Sequence, residues 1–197
     1  HEAPGMPAPP APGRPLLAVH ALAGLAARLP DDAVVVEESP SSRHQLNHWL
    51  PARTPLGYVS AAMGGLGFAV PGAAGLRRAL PDRPVVAIVG DGAAMFGVHG
   101  YWAAAKYGAG ALIVVLVNDG YKVMDKLAER FGGSGPWPSF GGIDHAALAR
   151  AQGCDAIDVA DFETLERTLD EVVPTLASRT SPLVLAVQIG LDDDFNP

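Results

Sequence analysis

Two short stretches of this sequence join hard oxygen ligands to glycine. Gly90-Asp91-Gly92 directly follows the apolar run Val85–Val89, and Asn118-Asp119-Gly120-Tyr121 directly follows the apolar run Ala111–Val117. A carboxylate and a side-chain amide oxygen suit magnesium, which takes oxygen ligands at about 2.0–2.1 Å and commonly shares its shell with phosphate and water. If both runs are strands, Asp91 and Asn118 leave adjacent strand ends toward one point. Gly90 and Gly92 let the backbone approach a phosphate closely. The periodicity predicts a helix over Phe96–Tyr107, whose positive end would face the same anion. A Gly-Asp-Gly alone is a common turn. Its spacing to Asn118 and its place at a strand end point to metal.

The elements that must hold these residues alternate along the chain. Runs at Ala33–Val36, Val85–Val89, Ala111–Val117 and Leu183–Ile189 read as strands, with a weaker one at Ala156–Val159. Helical spacing marks Leu16–Leu29, Leu66–Leu80, Phe96–Tyr107, Tyr121–Arg130, His145–Gln152 and Phe162–Leu176. Asp144 and Asp161 stand where N-caps belong. Continuous apolar strands separated by helices imply an α/β fold, a parallel β-sheet sandwiched between helices on both faces. Such sheets bind ligands beyond the carboxyl ends of their strands, where both candidate stretches fall.

Composition narrows the function classes. The 197 residues suit one domain with one core, and 49% of them are apolar, which excludes a disordered chain. No apolar run reaches the length of a membrane helix, so no membrane partner is expected. A net charge of −7 with 14 scattered basic residues argues against nucleic acid. The lone Cys154 excludes an internal disulfide, fits a cytoplasmic setting and reads as a packed thiol. Residues 1–15 are proline-rich and read as an extended interdomain linker, 16–190 as the domain, and 191–197 as an acidic tail. The linker suggests that the chain comes from a longer one.

The segment from Gly90-Asp91-Gly92 to Asn118 resembles the thiamine diphosphate signature, which runs from Gly-Asp-Gly to a downstream Asn-Asn. Val117 replaces the first Asn of that pair, and Asn118 matches the second, the metal ligand. The resemblance implies that Asp91 and Asn118 ligate Mg²⁺ by side chain and Gly120 by its carbonyl, with Tyr121 beside the cofactor. Relatives often carry a Ser after Gly-Asp-Gly, whereas Ala93, followed by Ala94, offers only backbone N–H groups. In Ala61-Ala62-Met63-Gly64-Gly65-Leu66, the resemblance has Gly64 and Gly65 cradle the aminopyrimidine while Leu66 wedges between the two rings and bends the cofactor. Glu38-Ser39-Pro40-Ser41-Ser42 matches the other diphosphate-contacting loop, with hydroxyls on Ser39 and Ser41.

The resemblance covers Leu16 to Gly190 and is closest to benzoylformate decarboxylase and related 2-oxo acid decarboxylases. Pyruvate decarboxylases carry a Glu soon after the Asn motif. Met124 stands there instead, so Val123, Met124 and Leu127 are assigned to the wall of a pocket for an aromatic 2-oxo acid. Helix packing is an equally good account of these three. The chain shows no catalytic residue of its own. The essential Glu of this family comes from a pyrimidine-binding domain of the same or a partner chain, and a homo-oligomer is implied for the intact enzyme. This chain alone is therefore expected to be inactive. Two other readings stand beside this one: a different thiamine diphosphate chemistry, such as acetolactate synthesis or acyl-CoA cleavage, and a non-catalytic nucleotide-binding α/β module. His44 and His48 share a helix face without a third ligand, and Trp137-Pro138-Ser139-Phe140 in its Gly-rich stretch reads as a mobile loop that could close over the site.

Overall fold

The computed structural model describes residues 5–191. The ends of the expected linker and tail, residues 1–4 and 192–197, lie outside the described residues. The strands are β1 Val34–Glu38, β2 Tyr58–Ser60, β3 Val85–Gly90, β4 Leu112–Val117, β5 Asp155–Val159 and β6 Leu183–Gln188. The helices are α1 Ala18–Ala26, α2 Arg43–Trp49, α3 Ala69–Ala79, α4 Asp91–Phe96, α5 His99–Lys106, α6 Lys122–Arg130, α7 His145–Ala151 and α8 Phe162–Val172. All six strands pair in parallel, in the order β2-β1-β3-β4-β6-β5.

The central strands are continuous apolar runs because both faces are covered. Every residue of β4 is buried. Its alternate side chains feed two cores: Leu112, Val114 and Leu116 meet α1, α2 and α8, while Ile113, Val115 and Val117 meet α3, α4, α5 and α7. This period-two split builds three layers from one strand pattern. Each fully buried Val, Leu or Ile contributes about 1.5–3 kcal/mol relative to exposure. At the rim, β5 is half exposed, which is why its apolar pattern is weak.

Asp144 and Asp161 cap α7 and α8 as expected, each accepting the N–H of the third residue onward, Ala147 and Thr164. Several boundaries differ from expectation. The helix expected over Phe96–Tyr107 is two helices, and the first begins at Asp91 itself. The chain bends at Gly97, and Gly100 then presses against α3, where an added Cβ would stand 2.7 Å from the Pro71 nitrogen. The first strand runs through Glu38, so Glu38 belongs to the sheet rather than the loop. Strand β2 carries no readable alternation, being only three residues at an edge.

The segment that precedes α1 is tied to later parts of the chain. Leu16 bridges in parallel to Ile189, and the imidazole of His20 meets the carbonyl of Ala8 at 3.2 Å. No helix among the described residues is long and apolar enough to cross a membrane.

Candidate functional site

The carboxyl ends of β1, β3 and β4 are neighbours in the sheet, so the segments leaving them converge. At the tip of β3, Asp91 opens α4, and only 2% of it is exposed. One carboxylate oxygen accepts the N–H of Gly92 at 2.7 Å; the other accepts those of Asn118 at 3.0 Å and Asp119 at 2.6 Å. Two consecutive amides reach one oxygen because Asp119 turns the backbone left-handed, with φ of 60°. The Asn118 side-chain oxygen in turn accepts the N–H of Gly120 at 3.3 Å.

The carboxylate is surrounded by backbone N–H dipoles, with the His145 imidazole nearby. Burial pushes the Asp91 pKa up, opposed by the N–H bonds from Gly92, Asn118 and Asp119 and by nearby His145. His145 begins α7 with 3% exposure, and neither ring nitrogen has a hydrogen-bond partner among the described residues. Its pKa is lowered by burial, against the pull of Asp91, Asp119 and Asp144.

Asp91, Asn118 and Gly120 line one small cleft, open to solvent. Ser39, Ser41, Leu66, Gly90, Gly92, Ala93, Tyr121 and Val123 complete its walls together with Pro40. The structure thus brings together most of the residues singled out from sequence. It does not bring Gly64, Gly65, Ala94, Met124 or Leu127 into that wall. Gly64 adopts φ of 67° with open space around its α-carbon, Ala94 is packed in the core, and Met124 is 41% exposed. Helix α6 buries none of its residues fully: Val123 and Leu127 are half-buried, and Met124 is exposed.

The donor set around the cleft fits a hard divalent cation. It offers a carboxylate, a side-chain amide oxygen and a backbone carbonyl, the ligand class of magnesium. No group of three or more His, Cys, Asp or Glu suited to a metal occurs among the described residues. His44 and His48 lie on α2, outside the cleft.

Several residues at the site were not singled out from sequence. Glu38, 2% exposed, accepts the N–H groups of Gly67 and Ala69 at the start of α3. Its neighbour Glu37 accepts from the Ser39 N–H at 2.8 Å and pairs with Arg43 at 3.0 Å. Two consecutive buried acids at the end of an apolar strand are the signal that could have exposed them, since unpaired charges are not buried cheaply. The segment around Trp137 is already seated on the site. Trp137 donates to Asp125 at 2.7 Å, Ser139 and Phe140 both donate to the Asp119 carbonyl, and the Phe140 and Tyr121 rings meet edge-on at 4.6 Å. Cys154 is buried, donates weakly to the Tyr101 carbonyl, and has its pKa pushed up by burial to about 11, as suits a packed thiol.

Known proteins resemble this chain in sequence and in fold. The family model described as thiamine pyrophosphate enzyme, C-terminal TPP binding domain, matches residues 41–187. The chain is 36% identical over 141 residues to benzoylformate decarboxylase of Pseudomonas aeruginosa, covering 71% of this chain and 27% of that protein. It is 35% identical over 123 residues to the acetolactate synthase large subunit of Parasynechococcus marenigrum, covering 58% of this chain and 19% of that one. The solved thiamine diphosphate-dependent 4-hydroxybenzoylformate decarboxylase of Rhodococcus jostii superimposes with a TM-score of 0.85 at 29% identity, over 97% of this chain and 36% of its own. The chain therefore spans about a fifth to a third of the length of these relatives.

Proposed function

This chain belongs to the thiamine pyrophosphate enzymes, as a C-terminal TPP-binding domain, and from that premise we propose that it holds the diphosphate end of the cofactor through Mg²⁺ in a decarboxylase of 2-oxo acids. The observation that carries the proposal is the Asp91 carboxylate. It is buried at a strand tip, held by N–H groups from the turn that follows the next strand, and shares an open cleft with Asn118 and Gly120. In this reading Asp91, Asn118 and the Gly120 carbonyl hold the cation. Ser39 and Ser41, with the N–H groups of Gly92 and Ala93, receive the diphosphate.

When bound, thiamine diphosphate supplies the carbanion chemistry, and the protein supplies binding and orientation. Leu66 lines the cleft and would press against the rings of the cofactor. Ser41 accepts the N–H of Val123 at 3.3 Å, which ties the loop after β1 to the first turn of α6. The α6 face bearing Val123, Met124 and Leu127 would then stand beside the substrate. Its apolar character suits an aromatic 2-oxo acid, in keeping with the benzoylformate decarboxylases among the relatives. A pyrimidine-binding domain, in the same or a partner chain of an oligomer, would complete the site.

Calorimetry with thiamine diphosphate, with and without Mg²⁺, tests the proposal. Heat that depends on the metal supports it; no metal-dependent heat would return the chain to the non-catalytic α/β module. The acetolactate synthase relatives keep a second chemistry in view. Product analysis of the full-length enzyme on benzoylformate against pyruvate separates the two, with an aldehyde from benzoylformate expected.

A further inference from the structure

Helix α3 has no capping side chain of its own, since Phe68 occupies its N-cap position. The cap arrives from β1. Glu38 sends its carboxylate across to Gly67 and Ala69, so its negative charge sits at the positive end of an 11-residue helix. From the other side, Gly67 lies against the backbone of Phe96, where a Cβ would stand 3.0 Å from the carbonyl oxygen. Gly67 is thus held between two elements. Leu66, the preceding residue, is 38% exposed and projects into the cleft from that pinned turn.

Glu37 and Glu38 are consecutive on a strand, so their side chains leave opposite faces of the sheet. Glu37 secures the Ser39 loop and Glu38 secures the Leu66 turn. We propose that Glu38 is a positioning residue that acts through Leu66, fixing the ring end of thiamine diphosphate independently of the diphosphate end. This rests on the cofactor site proposed above.

The test compares two ligands on the 197-residue chain in Mg²⁺: thiamine diphosphate, which has both ends, and inorganic diphosphate, which has one. Glu38→Gln keeps the shape but loses the charge of the cap. Charge-assisted bonds of this kind are worth enough for about a tenfold loss. Glu38→Gln should weaken thiamine diphosphate by about that factor and leave inorganic diphosphate within about twofold. Leu66→Ala should do the same, and the double variant should be no weaker than either single one, because both act on one turn. Equal weakening of both ligands, or of neither, overturns the proposal, as does strict additivity in the double variant. Glu38→Asp covers the case in which the Gln variant does not fold. Its shorter carboxylate should speed amide exchange at Gly67 and Ala69 and lower selectivity together, and selectivity unchanged despite faster exchange also overturns the proposal. Failure of the underlying site is distinguishable, because the wild-type chain would then bind neither ligand.

Discussion

The Asp91 carboxylate, at the tip of β3, accepts the backbone N–H of Asn118, the first residue beyond β4, at 3.0 Å. Two residues read from sequence as ligands of one cation are thereby linked before any cation arrives. The link is backbone to side chain, so it leaves the Asn118 amide oxygen available to the cleft. The turn also places Gly120, whose N–H returns to that same oxygen. A preformed arrangement of this kind costs little further ordering when a ligand binds.

Asp91→Ala should abolish metal-dependent binding of thiamine diphosphate while leaving the fold intact. The three amides that Asp91 receives lose their acceptor, but a buried charge is removed with it. Titration calorimetry and circular dichroism on one preparation check both halves. Unchanged affinity would remove Asp91 from the site.

Two glycines should respond in opposite directions to alanine. A Cβ on Gly110 would stand 1.9 Å from the Arg179 carbonyl oxygen, a backbone atom that cannot swing aside. Gly110→Ala should cost several kcal/mol, on the order of the larger single-residue effects. Gly75 lies exposed within α3 with nothing near its α-carbon, so Gly75→Ala should stabilise by about 0.5–1 kcal/mol. Urea unfolding of both variants reads the contrast directly.

Arg77 is a buried cation held by carbonyls. Its guanidinium donates to Pro81, just past the end of α3, and to Ala177 at 2.7 Å and Arg179 at 3.2 Å, beyond α8. Lysine cannot reproduce that planar fork. Arg77→Lys should lower stability by about 1–3 kcal/mol without changing the ratio of binding to thiamine diphosphate and to inorganic diphosphate, since the residue lies far from the strand tips. A changed ratio would contradict this placement.

Alkaline pH should destabilise the fold through buried acids that stay neutral. Burial raises the Cys154 pKa to about 11 and that of Tyr58 to about 12, and moves Tyr101 the same way. The folded chain keeps these protons after the unfolded chain has lost them. Their contribution to stability is therefore complete below the unfolded values and falls as pH rises, from about 9 toward 12. Unfolding midpoints across that window should decline, and a thiol reagent should reach Cys154 quickly only in denaturant.

Much of this protein could be read from its residues in order. The apolar runs of β3, β4 and β6 and the aspartate caps of α7 and α8 are local signals, each complete within a few neighbours. Gly90-Asp91-Gly92 and Asn118 were legible for the same reason: each closes a strand, and strand ends locate ligand sites in open parallel sheets. The early start of α4, the split at Gly97 and the short edge strand β2 depend on what packs against them, and no spacing along the chain records that.

The partners of the buried acids were decided by the tertiary structure alone. Glu38 finds Gly67 and Ala69 some thirty residues away, and His145 comes to lie near Asp91 only because α7 folds onto the same face as α4. Sequence fixes which groups need a partner once they are buried, since an unpaired charge or amide is costly there. Which partner satisfies them depends on the crossings of the chain, and those arise from packing summed over the whole core.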